Sequence, residues 1–435
     1  MRAELGRKEI PDASVSNRVD WRAAIFNRRM LACVFIGLAS GMPLYVLYQL
    51  VPAWLRDEGV SLTEIGLFSL VGIPYTWKFL WAPFMDRYRP PLLGRLGRRR
   101  GWMLFTQLAL LFSIGGLGLF QPQSATLVIA WVAFAVAFFS ASQDVVLDAF
   151  RREILPDAEL GLGNSIHVQA YRISSLVPGS LSLILADLMP WDSVFWITGA
   201  FMLVGIAMTL VVREPDSEVP LGGGLRATVV APFVEYLQRK GWQPLLAVLA
   251  FMFLYKLGDN MATALATPFY LDMGFTKTEI GLVAKHAALW PAIFGGLLGG
   301  VVMIRVGINR SLWLFGVVQL VSILGFAVLA ASEAHLWLLA LVIAFEYLGV
   351  GLGTAAFTAF IAREASRAFA ATQFALFTAL AALPRTFANA STGAIVEETG
   401  WVSFFLLCAV LAVPGMLMLL WVAPWRRAGT LESAV

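Results

Sequence analysis

Residues 30–52 read MLACVFIGLASGMPLYVLYQLVP, 23 positions without one charged side chain. About 20 mostly apolar residues are what an α-helix needs to cross a hydrocarbon core ~30 Å thick. Comparable runs recur along the chain, and marking them gives twelve candidate spans. In the first half they cover 30–52, 63–86, 101–120, 125–148, 163–187 and 193–212. In the second half they cover 243–270, 278–304, 311–331, 335–361, 370–396 and 401–423. Turn signals separate them at Gly59, Pro90-Pro91, Pro122, Pro156-Asp157, Pro190 and Gly400. Composition agrees: 59% of the 435 residues are hydrophobic and 14% are charged, where a soluble domain carries about 25% charge. Mean hydropathy is +0.75. The expected fold class is an all-α membrane protein.

One long polar stretch, 213–241, divides the spans six and six. The expected domains are an N-terminal tail (1–29), a six-helix bundle (30–212), a linker (213–242), a second bundle (243–423) and a C-terminal tail (424–435). Within the linker, Val229, Val230, Phe233, Val234 and Leu237 recur at helical spacing. That fits a short amphipathic helix on the membrane surface, with a plain linker as the other reading.

Charge fixes the expected orientation. Of 32 Lys and Arg, 25 fall in the tails and loops of one side, and only Arg56 and Lys277 in the loops of the other. The positive-inside rule then places both termini in the cytoplasm. The net charge of +4 at pH 7 meets anionic lipid, and nothing points to nucleic acid. The first apolar run is too long for a signal-peptide core and lacks a small-residue cleavage site, so it reads as a retained span. Cys33 and Cys408 lie in apolar runs, and three histidines are scattered. No disulfide framework, metal site, cofactor or enzyme centre is expected from them.

A repeat adds topology. Gly59–Leu67 reads GVSLTEIGL and Gly274–Leu282 reads GFTKTEIGL, identical at six of nine positions and 215 residues apart. Both copies fall at the outer start of the second span of their half. Each precedes a basic turn: Asp86-Arg87 and Arg98-Arg99-Arg100 in the first half, Ile304-Arg305 and Arg310 in the second. Two parallel six-span halves form a transporter pattern. The turn resembles the G-x-x-x-D-R-x-G-[RK]-[RK] loop of the major facilitator superfamily. Ala82 stands at its first glycine, and Ile304 replaces the acid of the second copy. The resemblance implies twelve transmembrane helices in two pseudo-symmetric bundles. Asp86, Arg87 and Arg305 would then form a cytoplasmic gate. Asp86 would face the start of span 11 near Ala370, a contact worth ~0.3–1 kcal/mol. The other reading is that Asp86 and Arg87 only mark topology.

Five basic residues lie inside spans: Lys78, Arg172, Lys256, Lys285 and Arg385. Each costs ~2.5–3.5 kcal/mol near a helix centre, so they should line a wet cavity or be paired. Lys285 and Arg172, nearer span ends, could instead reach headgroups. The buried acids are Asp144, Asp259 and Glu346, with Asp148 at the edge of span 4. Lys256 and Asp259, three apart, share a helix face and can pair. Asp144, beside Gln143, has no basic residue at helical spacing in its own span. It is a candidate proton carrier, alone or coupled to Asp148; a static ion pair with Lys78 or Arg172 is the alternative. Surplus positive charge favours an anionic solute. Tyr45, Tyr48, Tyr75, Trp77, Trp81 and Trp290 offer faces for sugar rings.

The segments GLASGMPL (37–44), IGLFSLVG (65–72), KFLWAPFMDRY (78–88), RRRGW (98–102), SASQDVVLDAF (140–150), YKLGD (255–259), ATQFALFTAL (371–380) and GWVSFFL (400–406) resemble the AmpG-type muropeptide permeases. That resemblance implies an inner-membrane symporter driven by the proton gradient. It would import GlcNAc-1,6-anhydroMurNAc peptides from periplasm to cytoplasm for peptidoglycan recycling, an uptake linked to β-lactamase induction. The proton-coupling candidates are Asp144 and Asp148. The substrate-binding candidates are Lys78, Tyr75, Gln143, Arg172, Lys256, Asp259, Lys285, Glu346 and Arg385. His167 and Asn260 depart from the family pattern, and members often carry further hydrophobic segments. The expected partners are an anhydro-muropeptide or related anionic sugar-peptide and the bilayer. A monomer is expected because one chain holds both halves. A carrier for another anion such as acetyl-CoA, and a non-transporting membrane sensor, are the alternatives.

Overall fold

The structure is a computed structural model that describes residues 27–156, 159–213, 231–364, 377 and 384–425. Among the described residues every regular element is helical. Among the described residues eight helices are long and apolar enough to cross a membrane: Arg28–Asp57, Pro122–Ile154, Trp191–Val211, Trp242–Asp272, Lys277–Val306, Ile308–Ala330, Leu336–Glu364 and Thr386–Val422. They fit expected spans 1, 4, 6, 7, 8, 9 and 10, and the end of span 11 with span 12. Spans 11 and 12 meet at Gly400, whose φ of 78° breaks the helix. Span 3 is the helix Arg98–Leu117. Span 5 runs from Leu160–Ile173 through a π-turn at Val177–Leu181. The arrangement fits the expected twelve spans. The tails 1–26 and 426–435, the linker stretch 214–230 and the region around Ala370 lie outside the described residues.

Span 2 is the most broken. Short α and 3-10 pieces succeed one another from Leu62–Leu67 to Ala82–Arg87. Pro74 and Pro83 remove two N–H donors from the helical ladder, which explains the interruptions. Wider π-turns sit in span 1 (Val46–Leu50), span 5 (Val177–Leu181), span 8 (Ile280–Ala284) and span 11 (Pro384–Ala388). Such turns often mark functional segments of helices, and here they fall on spans that meet between the two halves.

One face of the molecule carries the arginine-rich loops; the other is called here the opposite face. Toward the opposite face, one apolar core runs through both halves, joining Trp54, Leu55 and Phe195 to Phe269, Phe326 and Phe405. Toward the basic face the core is split. Met85, Trp102 and Phe150 form a cluster within the first half, and Phe251, Phe315 and Phe360 another within the second. Between apolar helices in a bilayer, such contacts act through close packing rather than water exclusion. Among the described residues, the two halves therefore share one apolar core on the opposite face, whereas on the basic face each half keeps its own.

A helix occupies Ala231–Lys240 in the linker. Val234 and Leu237 remain exposed, whereas Tyr236 is fully buried. The Tyr236 hydroxyl donates to Glu364 at the end of span 10 (3.0 Å), and Lys240 pairs with the same carboxylate (2.6 Å). The helix is thus tied to the second half at the basic face.

Candidate functional site

A cavity of about 310 Å³ lies between the halves. Tyr45 and Gln49 of span 1 and Arg172 of span 5 line it from the first half; Tyr270, Lys285 and Tyr347 line it from the second. Lys285 follows the span 8 π-turn. It is buried and donates to the Thr267 hydroxyl at 2.7 Å. Arg172 reaches across to the Ala292 carbonyl of span 8 at 3.2 Å. The headgroup-reaching alternative therefore fails for both residues: they point between the halves. Tyr45 stands beside Tyr171, ring centroids 5.7 Å apart, and provides the aromatic face expected near the cations. Trp290 does not. It is half exposed and belongs to an outward-facing surface with Phe294 and Leu341. A larger groove of about 860 Å³ lies between spans 1, 4 and 6 at the basic face. Its walls include the highly exposed Leu31 and Val211, so it faces the lipid side rather than the space between halves.

A second group of candidates lies in the first half. The Lys78 ammonium stands 3.8 Å from Asp144, a long contact with Lys78 one-third exposed. Asp144 also accepts a hydrogen bond of 2.5 Å from Ser40 of span 1. Gln143 donates to the Ala39 carbonyl (2.7 Å) and ties span 4 to span 1. Asp148, one turn further along, is half exposed and pairs with Arg151 of its own helix at 3.0 Å. Tyr75 is partly buried against the shared core. The structure thus brings Lys78 and Asp144 together and points Asp148 elsewhere.

The third group lies inside the second half. Lys256 pairs with Asp259 at 3.2 Å, as the spacing predicts, and approaches the Thr354 hydroxyl at 3.4 Å. Glu346 is fully buried. None of these three lines the cavity. The backbone of Arg385 lies in the π-turn of span 11, but its side chain lies outside the described residues.

At the basic face, Asp86 accepts from Arg99 at 2.6 Å, and Arg99 also holds Glu153 at 2.7 Å. Two carboxylates thus hold the buried Arg99 guanidinium between them. The cluster locks spans 2, 3 and 4 of one half together. Arg87 lies over the Tyr88 ring at 5.7 Å, and Arg305 is exposed at the end of span 8. The span 11 segment expected to face Asp86 lies outside the described residues.

The opposite face shows what the repeat is for. Thr63 donates its backbone N–H to Glu397 of span 11 at 3.2 Å, and its hydroxyl to the same carboxylate. Thr278, its counterpart, donates its backbone N–H and hydroxyl to Asp187 of span 5 at 2.7 and 2.6 Å. The glycines of the two copies allow the approach. A Cβ on Gly66 would lie 2.9 Å from the Gly393 nitrogen of span 11, and one on Gly281 2.9 Å from the Ser180 carbonyl of span 5. Ion pairs surround these crossings. Arg56 binds Asp272 at 2.6 Å, and Lys277 binds Asp57 at 2.9 Å and Asp187 at 3.5 Å. Asp57 and Asp272, again 215 residues apart, also accept from Trp191 and Trp401. The two basic residues left on this face thus both bridge the halves. Sequence reading missed Asp187 and Glu397. The available signal was a carboxylate at the same end of spans 5 and 11.

Three comparisons place the chain among known proteins. The model of the Major Facilitator Superfamily matches residues 33–389. An uncharacterized protein of Haemophilus influenzae is 50% identical over 420 residues, covering 94% of this chain and 98% of that one. An anhydromuropeptide permease of Escherichia coli K12 is 40% identical over 395 residues, covering 90% of this chain and 79% of that one. Among solved structures, a D-xylose–proton symporter superposes with a TM-score of 0.70 at 13% identity, covering 92% of this chain and 99% of that one. At that identity the likeness speaks for the fold alone.

Proposed function

The chain belongs to the major facilitator superfamily and, within it, to the family of the anhydromuropeptide permeases, and from that premise we propose that it carries GlcNAc-1,6-anhydroMurNAc peptides across the bacterial inner membrane for peptidoglycan recycling. It is a transporter and not an enzyme. The observation that supports this solute best is the pair of cations, Arg172 and Lys285, facing a cavity between the halves beside Tyr45. A muropeptide brings peptide carboxylates for the cations and sugar rings for the aromatic face. Charge-assisted hydrogen bonds of this kind are worth about 1.5–3 kcal/mol each.

The basic face is read as cytoplasmic, with both termini there. The packed opposite face is then periplasmic, and the state described is closed on that side. Alternating access would come from undoing the Thr63–Glu397 and Thr278–Asp187 crossings while the basic face closes. The proton gradient drives the cycle. Asp144 is its carrier in the first half, because its contact with Lys78 is long enough to be exchanged for a proton. Asp148, bound to Arg151 and half exposed, contributes charge rather than the buried proton site.

Uptake by the purified protein in liposomes tests the solute. Labelled anhydro-muropeptide should enter, and unlabelled muropeptide should compete where acetyl-CoA does not. Competition by acetyl-CoA alone would assign the carrier to the other anion.

A further inference from the structure

Glu346 lies on span 10 with no exposed surface. Among the described residues no donor makes a regular hydrogen bond to either of its carboxyl oxygens or to Oδ1 of Asp259. Buried carboxyl oxygens without donors are strongly disfavoured. The groups facing Glu346 are Asp259 and Lys256 of span 7 and Ser322 of span 9, with Tyr270 of span 7 and Cys408 of span 12 beside it. Tyr255 faces Asp259. Among these side chains Lys256 is the one cation, and its ammonium is already committed to Oδ2 of Asp259 at 3.2 Å. Among the described side chains, two carboxylates and one ammonium leave a net negative charge in a buried interior. One added proton makes the cluster neutral and supplies the missing donor, because a carboxyl O–H on one acid can be accepted by the other.

We propose that Asp259 and Glu346 form a second proton-binding site, a carboxyl–carboxylate pair that shares one proton beside Lys256 inside the second half. The pair lies behind the cavity rather than in it, so it acts on the solute path through span 7 and span 10. Its depth also differs from that of Asp144. Both helices start at the opposite face, at Leu336 and Pro122. At ~1.5 Å per residue Glu346 is ~15 Å from that end and Asp144 ~33 Å. A proton entering from the opposite face meets the Asp259–Glu346 pair first.

The inference deepens the proton-coupling part of the transport reading, and its test needs no solute. The full-length protein in lipid discs is examined by infrared difference spectroscopy at neutral pH, as wild type, Glu346→Gln, Asp259→Asn and Asp144→Asn. Wild type minus Glu346→Gln, and wild type minus Asp259→Asn, should each show loss of a protonated-carboxyl C=O band. In both variants the remaining acid pairs with Lys256 as a carboxylate. The same band should survive in Asp144→Asn. A folded Glu346→Gln or Asp259→Asn variant that keeps the full protonated-carboxyl band overturns the proposal. Thermal unfolding shows which variants are folded, and either variant decides alone. Failed muropeptide uptake by a protein that shows the band would count against the solute reading and leave this site standing.

Discussion

Thr63 gives both its backbone N–H and its hydroxyl to Glu397, across the boundary between the two halves. Thr278 and Asp187 repeat the arrangement on the other side of the pseudo-twofold axis. The nine-residue repeat is therefore a closing device used twice, once for each crossing. Replacing both threonines by valine keeps their shape and removes two hydroxyl donors. The variant should open the opposite face: a thiol probe should label Tyr45→Cys several-fold faster in this background. Unchanged labelling would mean that the apolar packing alone holds the face shut.

Gly393 tests the packing part of the same crossing. A Cβ there would meet the Leu62 carbonyl oxygen, which is backbone and cannot swing aside. Gly393→Ala should cost ~1–3 kcal/mol of the packed state, seen as a lower thermal midpoint and faster labelling of the opposite face. Gly300→Ala, where nothing lies within 4 Å, should change neither.

Acid should weaken one crossing. Glu397 is exposed, and its carboxylate accepts both the hydroxyl and the backbone N–H of Thr63. An ionised carboxylate accepts from both donors, and protonation in acid removes one acceptor oxygen and the charge that strengthens these bonds. Spin labels at Leu119→Cys and Trp337→Cys, both exposed on the opposite face, should move apart on strong acidification. Glu397→Gln should already show the wider distribution at neutral pH and respond less to acid.

Asp144→Asn should separate binding from driving. Asparagine keeps an acceptor for Ser40 but cannot exchange a proton. Solute exchange across liposome membranes should persist, while accumulation driven by an imposed pH gradient should fall at least tenfold. Wild-type accumulation in this variant would remove Asp144 from the coupling.

Much of the architecture is legible in the sequence. Charge-free runs such as 30–52 must be helices in a bilayer, and the arginine asymmetry orders them. The cations at 172 and 285 were legible as functional because lipid would not tolerate them, although their nearness to span ends left a headgroup role open. The structure decides otherwise because each helix is turned so that these side chains point between the halves. That rotation depends on packing at positions such as Gly41 and Gly281, which no single span reveals. Asp259 and Glu346 were visible as buried acids, but 87 residues separate them and only the tertiary fold makes them neighbours. In the sequence Arg99 stands only as one of three arginines in a basic turn. Its double pairing with Asp86 and Glu153 depends on where a proline-broken loop returns the chain.

The central claim is that an anionic sugar-peptide sits between the halves with its charge held by Arg172 and Lys285. The most direct measurement is the affinity of the purified protein for two ligands, the anhydro-muropeptide and the same disaccharide without its peptide, in wild type, Arg172→Gln and Lys285→Gln. Each substitution should weaken the muropeptide by roughly tenfold to a hundredfold, one to two steps of 1.4 kcal/mol. The disaccharide should bind almost equally to all three proteins. Equal losses for both ligands, or none for either, would contradict the account.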